Sequence, residues 1–126
     1  MVEKTISERL LLKAGRSLCL VNAPDDFADS MSPLPTFARI IAEVESADIV
    51  LTFVQDQNLL NQEIERLLGS VRDGGQLWLA YPRKNRNGVS EVDREYLKIY
   101  LNRTNWQAAR MTSLNEKWVA VMVKRK

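Results

Sequence analysis

Three polar clusters, each following an apolar run, hold the side chains with which this chain could bind or convert a ligand: Asn22, Asp25 and Asp26; Asp56; and Arg83 with Lys84. Carboxylates set against two cations suit a small polar ligand that carries both charges. In an open parallel sheet such ligands sit outside the carboxyl ends of the strands, where all three clusters would fall. The same residues also have a purely structural reading. Asp25, Asp26 and Asp56 can cap helices, and Arg83 and Lys84 can be solvated loop charges. A magnesium site of Asp25, Asp26 and Asp56 has oxygen ligands of the right kind but no accompanying phosphate-substrate motif, so no metal is expected.

Histidine is absent, which removes the commonest general base and the Ser-His and Cys-His nucleophile pairs. No catalytic residue is therefore assigned. The single cysteine, Cys19, lies in the apolar run Ser17–Val21. Burial there would raise its pKa and make it a packing residue rather than a reactive thiol. One cysteine excludes an internal disulfide framework, and the start Met-Val-Glu-Lys-Thr-Ile does not resemble a secretory signal, so a cytoplasmic location is expected.

The 126 residues are 45% hydrophobic and 27% charged, a globular composition for a single domain spanning residues 1–126. No apolar run approaches the ~20 residues that span a bilayer, so no membrane association is expected. The net charge of +2 divides unevenly: residues 1–80 have 7 basic and 12 acidic residues, whereas residues 81–126 have 11 and 4. The basic part includes Arg83, Lys84, Arg86 and Lys124-Arg125-Lys126 but carries no nucleic-acid-binding motif, so nucleic acid is not the expected partner. A protein partner or a second copy fits better. Tyr100 and Trp106, near the end of a helix, are the interface candidates, while Trp78 and Trp118 belong to the core.

The elements that must position these residues alternate between strand and helix patterns. Thr5 and Glu8 form a capping box for a helix along Ile6, Leu10 and Ala14, which Gly15 can end. Ser17–Val21, Asp48–Val54 and Gln76–Tyr81 are buried strands. Asp25 or Asp26 opens a short helix. Residues 37–44 fit either a helix on Phe37, Ile40, Ile41 and Val44 or a short strand over 38–42. Leu59, Leu60, Ile64, Leu67, Leu68 and Val71 mark one helical face, ended by Asp73-Gly74-Gly75. A further helix, capped near Ser90, sets Val92, Tyr96, Ile99, Tyr100 and Arg103 along one side. Trp106–Leu114 and Trp118–Val123 form an antiparallel hairpin around Asn115-Glu116.

This order, with Asp73-Gly74-Gly75-Gln76-Leu77-Trp78 as a glycine turn before an aromatic strand, resembles the later part of class I methyltransferases. Val21-Asn22-Ala23-Pro24, Phe53-Val54, Leu77-Trp78-Leu79-Ala80-Tyr81-Pro82-Arg83-Lys84 and Glu116-Lys117-Trp118 resemble a family of small bacterial proteins with a methyltransferase-like fold and uncharacterised activity. The resemblance implies an α/β fold, a truncated three-layer Rossmann-like sheet, mostly parallel, with a C-terminal antiparallel hairpin. One departure is chemical. True methyltransferases end their first strand in a glycine-rich loop, whereas Asn22-Ala23-Pro24-Asp25-Asp26 has no glycine. Binding of S-adenosylmethionine in the usual manner is not expected, and no cofactor is assigned. Glu43 or Glu45 falls where such enzymes place a ribose-binding acid.

Three functional readings follow. The first is a non-catalytic module that associates with another protein or with itself. The second is a small polar ligand-binding protein or enzyme using Asn22, Asp25, Asp26, Asp56, Arg83 and Lys84. The third is nucleic-acid binding by the basic C-terminal part.

Overall fold

A computed structural model describes residues 6–31, 34–54, 57–72, 74–82 and 94–125. Strands β1 (Ser17–Val21), β2 (Arg39–Ile41), β3 (Ile49–Phe53), β4 (Gln76–Pro82), β5 (Trp106–Ser113) and β6 (Trp118–Arg125) form one sheet in the order β2-β1-β3-β4-β6-β5. β1, β2, β3 and β4 are mutually parallel, and β6 runs antiparallel to both β4 and β5. β5 is thus parallel to β4, and β6 is the one reversed strand. The expected α/β sheet with a terminal hairpin is the observed architecture.

Strand alternation divides the core between two faces. On one face Cys19, Val50, Leu77, Leu79 and Val121 pack with Leu60, Ile64 and Leu67 of α3 (Gln57–Ser70) and with Leu97 and Leu101 of α4 (Arg94–Asn102). On the other, Leu18, Leu51, Phe53, Trp78 and Ala120 pack with Leu10, Leu12, Phe27 and Met31, from α1 (Ile6–Arg9), α2 (Phe27–Ser30) and the chain beside them. Phe53 is central to that second layer. Its ring meets Phe27 at 4.8 Å and Trp118 at 4.9 Å, both edge to face, a favourable geometry for aromatic quadrupoles.

Three local expectations are corrected. The first helix is only Ile6–Arg9, because Leu10 and Leu12 both bury against the sheet, whereas a helix would point them in different directions. Leu11 takes a left-handed backbone (φ 64°) to allow this, and Ala14 is exposed. Of the two alternatives for 37–44, the strand forms: Arg39, Ile40 and Ile41 pair with Ser17, Leu18 and Cys19. Backbone pairing to β1 outweighs the helical spacing, and Phe37 is left 87% exposed. In α4 the buried stripe is Leu97 and Leu101, one helical turn apart. Tyr96 and Tyr100 flank it, and Ile99 points outward at 57% exposure. Thr5, Asp56, Asp73, Ser90 and Val92 lie outside the described residues.

The amino ends of the strands are tied together by Asp48. Its carboxylate accepts from the Ser17 backbone N–H at 2.8 Å and the Ser17 hydroxyl at 3.2 Å, while the Asp48 N–H donates to that hydroxyl at 3.1 Å. Arg72 and Arg16 both pair with Oδ1, and Arg72 also donates to the Ala47 carbonyl at 3.2 Å. The Asp48 carbonyl in turn accepts from Gln76 N–H at 2.9 Å. One residue thus joins β1, β3 and the turn into β4.

Asp48→Ala should lower stability by about 1–3 kcal/mol in urea titration, because it orphans the buried Ser17 N–H, while the exposed guanidiniums of Arg16 and Arg72 are taken up by water. Thr52 makes the opposite case. It is fully buried in β3, and its hydroxyl has no hydrogen-bond partner among the described residues. Thr52→Val should leave stability unchanged or raise it by about 1 kcal/mol in the same assay.

Candidate functional site

β1 lies between β2 and β3. The chain leaving β1 crosses the Trp78 face through α2 to reach β2. The chain leaving β3 crosses the Leu79 face through α3 to reach β4. The two connections leave on opposite faces of the sheet, and outside the carboxyl ends of β1 and β3 is where open α/β sheets of this topology place a ligand crevice. Asn22, Asp25 and Asp26 follow β1 at that end and are exposed.

The turn after β1 is built from within. Asn22 has a left-handed backbone (φ 59°), a conformation in which glycine is easiest and asparagine the next most tolerated. Ala23 packs against the Phe27 cluster, and the Pro24 carbonyl accepts from Phe27 N–H at 3.0 Å. The expected aspartate cap does not form. Asp26 occupies the N-cap position of α2 with near-helical backbone (φ −95°, ψ 0°) and makes no side-chain cap bond. Its carboxylate cannot reach back over the helix end from that conformation, so the Pro24 carbonyl closes the turn instead.

The structure therefore brings Asn22, Asp25 and Asp26 together in one turn. Asp56, Arg83 and Lys84 lie outside the described residues. Glu43 follows β2 and, like Glu45, is exposed at the start of a 3₁₀ turn (Val44–Ser46). Both carboxylates influence Cys19, whose pKa is raised first by burial and then by these two charges, against a smaller opposing effect of Arg66. The Cys19 Sγ lies 3.6 Å from the Ala42 carbonyl, which it can reach as a donor only while protonated. No three of His, Cys, Asp and Glu gather as a metal site among the described residues.

The interface candidates sit apart from the turn after β1. Tyr100 is half-buried beside Tyr96, with ring centroids 6.3 Å apart, and Tyr96 in turn reaches Asn61 of α3 at 3.5 Å. Burial, then Glu65 and Tyr96, raise the Tyr100 phenol, which stays neutral at physiological pH. Trp106 is half-buried at the start of β5, and its backbone N–H donates to the Thr104 hydroxyl at 3.0 Å. It also lines a cavity of about 360 Å³ at the amino end of β4, with Arg72, Gly74, Gly75 and Lys124. The residue types alone do not reveal this cavity, since its walls come from separate stretches of chain.

Two outcomes test this description. Asn22→Gly should retain full stability and Asn22→Val should lose about 1–2 kcal/mol by thermal melting, as a β-branched residue resists the left-handed backbone. Cys19 should alkylate at least about ten-fold more slowly in the folded protein than in urea at mildly alkaline pH, measured by mass spectrometry.

No protein-family model matches the chain, and no curated protein sequence matches it. Solved structures do. A proposed type 11 methyltransferase from Sulfolobus solfataricus aligns over 88% of this chain and 85% of its own, at 11% identity and a TM-score of 0.58. A ribosomal protein L11 methylase from Lactobacillus delbrueckii subsp. bulgaricus aligns over 96% and 75%, at 11% identity and TM-score 0.52. The B. subtilis M1A22 tRNA methyltransferase TrmK aligns over 99% and 66%, at 9% identity and TM-score 0.51. With the strand order above, these likenesses give the chain the fold of a class I, Rossmann-like methyltransferase in a short form.

Proposed function

We infer that the chain is a non-catalytic module on a methyltransferase-like fold, acting by association with another protein or a second copy of itself. The turn after β1 carries this reading. A dinucleotide-like cofactor held at that point needs bare backbone amides and a helix whose N-terminus faces it. Here Pro24 offers no N–H, the Ala23 side chain is committed to the core, and α2 has only 4 residues. Asp25 and Asp26 add exposed negative charge, which opposes an anionic dinucleotide but not the cationic S-adenosylmethionine, so against the latter the reading rests on the turn's backbone and on the short α2. Calorimetric titration with S-adenosylmethionine should give no saturable heat, and light scattering should detect a dimer or a complex with a protein partner. Micromolar cofactor binding by the wild-type chain would refute the inference.

A second reading, a small polar ligand at the carboxyl ends of the strands, is favoured by the exposed, left-handed Asn22 in the same turn as the exposed Asp25 and Asp26. A metabolite panel should then contain a compound whose thermal shift is abolished by Asn22→Ala with Asp25→Ala. A silent panel removes the reading. Among the described residues no helix is long and apolar enough to cross a membrane.

A further inference from the structure

The opposite end of the sheet has a different character. Arg16 immediately precedes β1, Arg39 opens β2, Arg72 precedes β4, Arg103 precedes β5, and Lys124 lies near the end of the reversed strand β6. Lys13 sits in the turn leading to Arg16, whose N–H bonds to the Lys13 carbonyl at 3.1 Å. Strand direction places all six at the amino end of the parallel strands, and all six are exposed. Asp48 and, in the turn leading to it, Glu45 lie among them, and among the described residues six cations against these two carboxylates leave a net positive charge. Cations of the acidic first part and of the basic last part thus meet on one rim. From β2 to β5 that rim spans five strand spacings, roughly 24 Å.

Two aromatic features accompany the charge. Phe37 stands just before Arg39 with a left-handed backbone (φ 61°) and 87% exposure, an uncommon conformation for a bulky residue. At the other end of the rim, the Trp106 cavity of about 360 Å³ opens between Arg72 and Lys124, with the backbone of Gly74 and Gly75 as part of its wall. A Cβ on Gly75 would lie 3.0 Å from both the Arg72 carbonyl oxygen and the Val71 Cγ1, so a larger residue would press on that wall by a few tenths of an ångström.

We propose that this rim binds single-stranded nucleic acid, with phosphates along the row of cations, one base in the Trp106 cavity and another against Phe37. Spaced cations with an aromatic group at each end match a strand whose charges repeat and whose bases are free to stack. A duplex keeps its bases stacked inside and would use the charges alone. The rim lies at the far end of the sheet from the turn after β1 and does not depend on the association reading.

The test is fluorescence anisotropy of a labelled oligothymidylate against the intact chain, across a salt series. Binding should be present at low salt, weaken steeply as salt rises, and quench tryptophan fluorescence. Trp78 and Trp118 are buried, so the quench reports Trp106, and Trp106→Phe should remove it. Arg39→Glu with Lys124→Glu should weaken binding at least roughly ten-fold. Arg110→Glu with Lys117→Glu changes the net charge equally away from the rim and should have little effect. Absence of binding at low salt overturns the proposal. So do equal losses in the two double variants, or duplex binding as tight as single-strand binding with no quench. Light scattering on the same variants reads self-association separately, so each reading can fail alone.

Discussion

The structure depends on a single buried-edge carboxylate. Asp48 stands where β3 begins, and its oxygens and backbone reach β1 through Ser17, the turn into β4 through Arg72, and β4 itself through Gln76. A parallel sheet has no hairpins to register its strands, so something else must align their starting points. Here a half-buried carboxylate does so by satisfying backbone and side-chain donors that would otherwise be lost from water. The two guanidiniums keep that charge compensated. Their surplus positive charge also sets the character of the whole amino end of the sheet.

From that alignment the two ends of the sheet acquire separate chemistries. At the carboxyl ends the chain diverges around β1, and the turn there is filled by Ala23, Pro24 and two exposed aspartates. At the amino ends the connections are short, and their basic residues collect along one rim. At the first end the chain carries a glycine-free turn with exposed Asn22, Asp25 and Asp26, and at the other a cavity lined by Trp106, Arg72 and Lys124. The residues on these turns, not the strands, make the difference.

The helices follow the same economy. Among the described residues, α3 and α4 cover one face with amphipathic stripes, whereas the opposite face is covered by α1 and α2, of 4 residues each, and the irregular chain beside them. That face is closed by aromatic packing instead, with Phe53 held between Phe27 and Trp118. Edge-to-face rings fill volume that a longer helix would otherwise supply.

Strand identity was legible in the sequence. Ser17–Val21, Ile49–Phe53 and Gln76–Pro82 are continuous apolar runs because a central parallel strand is buried on both faces, and the hairpin announced itself by weak alternation. The α3 stripe was legible for the same reason: four-residue spacing reflects one buried face. Where local pattern and tertiary pairing competed, the sequence was silent. Ile40 and Ile41 fit a helix as well as a strand until β1 claimed them. Leu10 and Leu12 left the helical pattern because both had to reach the sheet. The candidate turn Asn22, Asp25 and Asp26 was visible as a glycine-free loop, but its left-handed asparagine and missing cap bond were not. The basic rim was invisible. Charge counted along the chain separates an acidic part from a basic one, and only strand direction decides that Arg16, Arg39, Arg72 and Lys124 start or end at the same edge. Composition and period report which residues are buried; which distant residues become neighbours is decided by the order and direction of the strands.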